Sequence, residues 1–291
     1  MDYINDEYAG ISVRKYPVSI FHYENDSKIE KTTIKGRADN IPSPGEKPLA
    51  TALYKYGFMN LDIMKKNIAN TGHKRLDVAK TLEKMQKQGK VEKYTVWHGG
   101  DRANLDIYTL TSDFEETLGK SRNSINKKDM KDIPYILENL ALCQWHNSLL
   151  SGKRASTEIM YNQTKCCTCG FVVVPSVIRI KVGKCGVHLC AVPVNRNNHL
   201  KNLKNFVVNL VRLNRYFEEN QGKYRSYLIV LLCESVSQIE DLVKLLSVMK
   251  ETKEMDLLYT IDMATYSGDP LDSIFRVERT LGRADLSLVR L

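Results

Sequence analysis

The stretch whose reading decides the fold is Pro48 to Leu110, PLATALYKYGFMNLDIMKKNIANTGHKRLDVAKTLEKMQKQGKVEKYTVWHGGDRANLDIYTL. Leu49, Leu53 and Tyr56 recur at helical spacing, and Gly57-Phe58-Met59-Asn60 interrupts them. Leu61, Met64 and Ile68 mark a second helix, closed by Asn70-Thr71-Gly72. A third is expected from about Lys74 to Gln88, with Val78, Leu82 and Met85 on one face and Gly89 as its stop. Two β-prone runs follow, Val91–Trp97 and Leu105–Thr109, separated by a Gly-Gly turn. Three helices and a hairpin in this order read as a winged helix-turn-helix over residues 47–118, with the hairpin as the wing.

Charge points to what such a module would bind. Residues 47–110 hold twelve Lys or Arg against six Asp or Glu, so they carry +6 of the chain's +9. Positive charge clustered on a recognition helix is the footprint of duplex binding, because each neutralised phosphate releases condensed counterions. In that geometry the third helix enters the major groove and the wing touches backbone or minor groove. His73 and Arg75, expected at the helix start, are the candidates for base edges. Lys80, Lys84 and Arg102 are candidates for the phosphates, Lys74 and Thr81 are further DNA-binding candidates on the helix's outer face, and His98 and Asn104 are candidates on the wing. A winged helix used for protein contacts, with a solvated lysine face, is the competing reading.

The 291 residues suggest two modest domains, and 43% hydrophobic with 26% charged residues is ordinary globular composition. No apolar run is long enough to span a bilayer, and the acidic start Met1–Asp6 has no apolar core of a secretory signal. A cytoplasmic protein is expected. A pI near 9.0 favours nucleic acid over a membrane surface, since no basic amphipathic segment stands apart. Residues 1–46 form an N-terminal arm; Ile11–Tyr23 and Lys28–Lys35 allow a small hairpin about Glu24–Ser27, with a partly ordered arm as the equal alternative. Ser112-Asp113 can cap a short helix to Leu118, and residues 119–132 form a basic linker.

Residues 133–291 then read as a second domain. A helix is expected over Ile136–Leu149, strands over Ser156–Tyr161, Phe171–Val182 and Val187–Val194, and a helix over His199–Glu219. A buried strand at Tyr227–Cys233 precedes a helix through Ile239–Met249 and closing strands at Leu257–Thr260 and Ile274–Val277. Strands and helices in this order give an α/β (α+β) domain with a mixed sheet.

This layout resembles the replication-relaxation family of Gram-positive mobile elements, over roughly residues 47–250. The similarity lies in Ile107-Tyr108-Thr109-Leu110-Thr111, in the apolar helix Leu140–Asn147, in Val174-Pro175-Ser176 and in Leu189–Arg196. It implies a winged helix followed by a PD-(D/E)XK, restriction-endonuclease-like domain. It also implies a part in replication, or in preparing an origin for conjugative transfer, beside a relaxase or replication protein. Ser176, Pro193 and Asn195 stand where that family is acidic. A hard cation needs anionic oxygens, so the nuclease-like domain is expected to be inactive, without cofactor, with Lys181 and Lys184 left behind. Glu158 and Glu234 remain as acids should the correspondence slip by one strand.

Other chemistry is thinly represented. Cys166 with Cys169 and Cys185 with Cys190 approach a zinc-ribbon spacing, but the β-prone runs around them also suit a plain hairpin of reduced core cysteines. His146 and His188 lie in apolar segments as core residues. No Gly-rich phosphate loop is present, and the fifteen tyrosines lack the histidine cluster of a tyrosine relaxase. The expectation is therefore a non-enzymatic, sequence-specific double-stranded DNA-binding accessory protein, with a homodimer as one option. A transcriptional regulator of the element and a metal-dependent nuclease are the alternatives.

Overall fold

The computed structural model describes residues 19–23, 28–32, 41–97, 104–118, 132–152, 156–194, 203–264, 270–280 and 283–289. The fold is mixed α and β, with seven α-helices and ten strands among these residues. Contacts divide the chain into two compact units, His22–Cys143 and a second that joins the N-terminal segment to Gln144–Leu291. The division falls inside a helix, Ile133–Ser151, and not at the basic segment 119–132, which lies outside the described residues except for Asp132.

In the first unit, β1 (Lys28–Thr32) precedes α1 (Lys47–Tyr56), α2 (Leu61–Asn70) and α3 (Val78–Lys87). β2 (Val91–Trp97), β3 (Leu105–Leu110) and the short α4 (Ser112–Thr117) follow. Local chemistry sets the breaks. Gly57 takes φ +83°, open to a residue without Cβ, and its N–H closes α1 on the Leu53 carbonyl at 2.8 Å. The Asn60 side chain caps α2 by accepting the Ile63 N–H at 2.8 Å. Leu49, Leu53, Ile63, Met64, Ile68, Leu82 and Met85 are buried, so the apolar stripes read from the sequence do face a core.

Most of the expected N-terminal hairpin, Ile11–Val18 with the turn Glu24–Ser27, lies outside the described residues. Ile20–Tyr23 is a 3-10 turn, and β1 pairs antiparallel with β2, making a three-stranded sheet β1-β2-β3. A free edge on β2 satisfied by β1 saturates backbone groups that a two-stranded hairpin would leave unpaired.

The second unit is built on a seven-stranded mixed sheet, ordered β10-β9-β8-β7-β6-β5-β4. β4 (Ser156–Cys167), β5 (Gly170–Val182) and β6 (Cys185–Pro193) are an antiparallel meander. β6, β7 (Tyr227–Cys233) and β8 (Leu257–Ile261) run parallel, then β9 (Ile274–Thr280) and β10 (Arg283–Val289) turn back. Each parallel link carries a helix, α6 (Leu203–Glu219) and α7 (Val236–Val248), as a parallel pair needs a crossover. Both pack on one face, where Leu210, Phe217, Ile239 and Leu242 share a core with Cys190, Ile229, Leu231 and Tyr259. Numbering α5 as Ile133–Ser151, its end from Gln144 lies on the other face, where His146 reaches Ser176 of β5. β7 is buried throughout its central residues, which is why its sequence shows no alternation.

Candidate nucleic-acid interface

The third helix begins later than the sequence suggests. It starts at Val78, not near Lys74, because Asp77 is its cap and accepts the Lys80 N–H at 3.1 Å. His73, Lys74 and Arg75 therefore occupy the turn between α2 and α3. That turn is fixed at both ends. Gly72 takes φ +89°, the His73 N–H donates to the Ile68 carbonyl at 3.0 Å, and the Leu76 N–H donates to the His73 carbonyl at 3.0 Å. All three side chains are exposed, and Lys74 and Arg75 make no ion pair among the described residues.

On α3 itself, Val78, Leu82 and Met85 face inward, leaving Lys80, Lys84 and Lys87 outward with Glu83 among them. These lysines are not equivalent. Lys87 pairs with Glu83 at 2.6 Å. Lys84 Nζ lies 2.9 Å from Glu46, whose other oxygen is 2.9 Å from the buried Lys90. Burial alone would push the Glu46 carboxyl up. The hydrogen bonds from Lys84, Lys90 and the Ser43 N–H outweigh it and hold the pKa down to about 2. Lys84, expected as a phosphate contact, is thus engaged by a buried anion, and Lys80 is the lysine of this face with no ion pair among the described residues. Thr81 likewise spends its hydroxyl on the Asp77 carbonyl at 2.7 Å. Asn104 is exposed just before β3, while His98 and Arg102 lie outside the described residues.

The structure brings Lys74, Arg75 and Lys80 together at one end of α3, and sets Lys84 and Lys87 apart by their partners. Sequence reasoning missed Glu46, because a single acid 38 residues before Lys84 carries no periodic signal. The β-prone run from Lys28 was read, but not its pairing with β2, which adds Lys28 and Lys31 to the sheet; Lys31 pairs with Glu92 at 2.7 Å.

In the second unit Glu158 and Glu234 each have a hydrogen-bond partner on a neighbouring residue. Ser176 and His146 are fully buried, with Ser176 Oγ 2.6 Å from His146 Nδ1 and Glu158 Oε2 2.9 Å from Nε2. The order of groups is that of a nucleophile, a base and an orienting acid. Ser176 has no exposed surface, and this row of hydrogen bonds links α5 to β4 and β5. The Glu234 N–H donates to Gln238 at 2.6 Å at the start of α7. Pro193 ends β6, Lys181 and Lys184 are exposed, and Asn195 is outside the described residues. No group of three or more His, Cys, Asp or Glu is arranged to hold a metal ion among the described residues.

The cysteines are also separated. Cys166 and Cys169 sit at the β4–β5 turn and Cys185 at the β5–β6 turn, at opposite ends of the thirteen-residue β5. At about 3.3 Å per residue those ends are about 40 Å apart along the strand, so the ribbon spacing does not correspond to a shared site. Cys190 is buried in β6, and burial pushes its thiol well up. His188 is buried against Tyr224, burial lowers its pKa, and its Nδ1 lies 3.2 Å from the Ser226 carbonyl.

Compared with known proteins, the chain matches no family model, no curated sequence and no solved structure.

Proposed function

We propose that the first unit is a winged helix-turn-helix that binds double-stranded DNA through the α2–α3 turn and the start of α3. The observation that carries this is the exposed group Lys74, Arg75 and Lys80, held on a capped turn without ion pairs among the described residues. Cations left unpaired on a rigid scaffold lose little on meeting phosphates, and Arg75 is the residue suited to a bidentate base contact. The second unit acts as a non-enzymatic platform with a restriction-endonuclease-like layout. In support, Glu158 is taken up by His146, and Ser176 and Pro193 occupy positions where metal chemistry would need acids. The resemblance to replication-relaxation proteins gives the specific version: an accessory DNA-binding protein of a plasmid or integrative element, beside a relaxase or replication protein.

The test is binding to duplexes from the surrounding DNA across a salt series. Arg75→Ala is expected to cost about 1–3 kcal/mol on the cognate site and to relax its preference. Lys80→Ala should weaken all duplexes alike and lower the salt slope by about one. Unchanged affinity in both variants would remove the proposed interface.

A further inference from the structure

Trp97 ends β2 with 44% of its surface exposed, although the neighbouring Val96 is fully buried. The register fixes this arrangement. Trp97 stands opposite Lys28 of β1, and Thr95, two residues earlier on the same side, stands opposite Glu30 and Asp106. Asp106 is already engaged, with Lys93 at 2.7 Å and the Thr95 hydroxyl at 2.8 Å. Lys28 is exposed and makes no ion pair among the described residues. The ring therefore stands at the end of a three-stranded sheet, exposed, at a register position opposite Lys28, a cation without an ion-pair partner among the described residues.

An indole beside a cation suits a flat aromatic partner attached to negative charge. Duplex DNA offers phosphates, but its base faces are hidden in the stack; an unpaired nucleotide offers both. We infer that Trp97 stacks on an unpaired DNA base next to the bound duplex, with Lys28 against the adjoining phosphate. This rests on the DNA-binding reading above and specifies its substrate: a duplex with a locally opened or bulged nucleotide, not a uniformly paired one.

The test uses the full chain and a set of duplexes with a single unpaired nucleotide walked along the sequence, against the fully paired parent and the single strand. The chain has two tryptophans, and Trp145 is fully buried, so quenching on titration reports Trp97. For at least one position, binding should quench the emission and exceed the paired duplex by about tenfold, as base–aromatic stacking predicts. Trp97→Ala should abolish that preference and Trp97→Phe keep most of it. Preference surviving in Trp97→Ala, or absent in the wild type at every position, overturns the inference. Arg75→Ala separates the two readings: it should weaken paired and bulged duplexes together. Arg75-dependent binding without a Trp97 effect sinks this inference alone, whereas no binding to any of these DNAs sinks both.

Discussion

Neutralising Glu46 is the sharpest test of how the first unit is held together. Its side chain is 1% exposed and sits between Lys90, 3% exposed, and Lys84, 56% exposed, each at 2.9 Å. A carboxyl at about 2 in the folded state, against an ordinary 4.5, is a gap worth about 3 kcal/mol at about 1.4 kcal/mol per pH unit. Because the folded value is depressed, this stability is fully present above pH 4.5 and is lost as the pH falls toward 2. Glu46→Gln should therefore destabilise the unit by about 3 kcal/mol at neutral pH, and by more where Lys90 is left buried without its partner. The assay is urea unfolding read from hydrogen exchange in α1 and α3, which isolates this unit from the other. Between pH 7 and pH 5 the gap between wild type and variant should stay constant, then narrow as acid approaches pH 2. The double variant Glu46→Met with Lys90→Met should recover most of the loss, since apolar groups of similar size replace a buried pair at little cost. A loss under about 1 kcal/mol for Glu46→Gln, or one that does not narrow with acid, would refute the account.

Other outcomes follow from the same geometry. Lys84→Ala should lower duplex affinity less than Lys80→Ala does, because Lys84 is tied to Glu46; parallel salt titrations decide it. In the second unit, Ser176→Ala should cost about 1–3 kcal/mol by removing the buried hydroxyl 2.6 Å from His146 Nδ1, measured by thermal unfolding of the full chain. With Mg²⁺ or Mn²⁺ and supercoiled plasmid, no nicking is expected; cleavage that disappears in Glu158→Ala would overturn the platform reading. Elemental analysis of purified protein should give less than one zinc per chain, since Cys166 and Cys185 bracket β5 from opposite ends.

Elements with a strong local signal were legible. β7 at Tyr227–Cys233 and β2 at Val91–Trp97 match the ranges expected from apolar runs and flanking breaks. The helices of the first unit follow their stripes, because a buried face at 3.6-residue spacing is set by the residues themselves. Ends were less legible. α3 lost a turn because Asp77, four residues after His73, caps it better than anything upstream, and that moves Arg75 from a helix to a turn. β4 runs to Cys167, well past Tyr161, because its polar residues there pair with β5; strand pairing, not hydrophobicity, extends it. β10 carries too weak an apolar pattern to be read without β9 beside it.

The amino-acid sequence by itself determined the order of helices and strands, the basic excess of residues 47–110 and the apolar character of the parallel core. Each of these depends on residues near one another in the chain, where spacing and composition carry the information. Only the tertiary structure decided which charges remain for a partner. Lys84 is drawn to Glu46, Lys31 to Glu92 and Glu158 to His146 through contacts between separate elements. Coulombic attraction and desolvation act through space, so a lysine's partner 38 residues away leaves no mark on its local pattern.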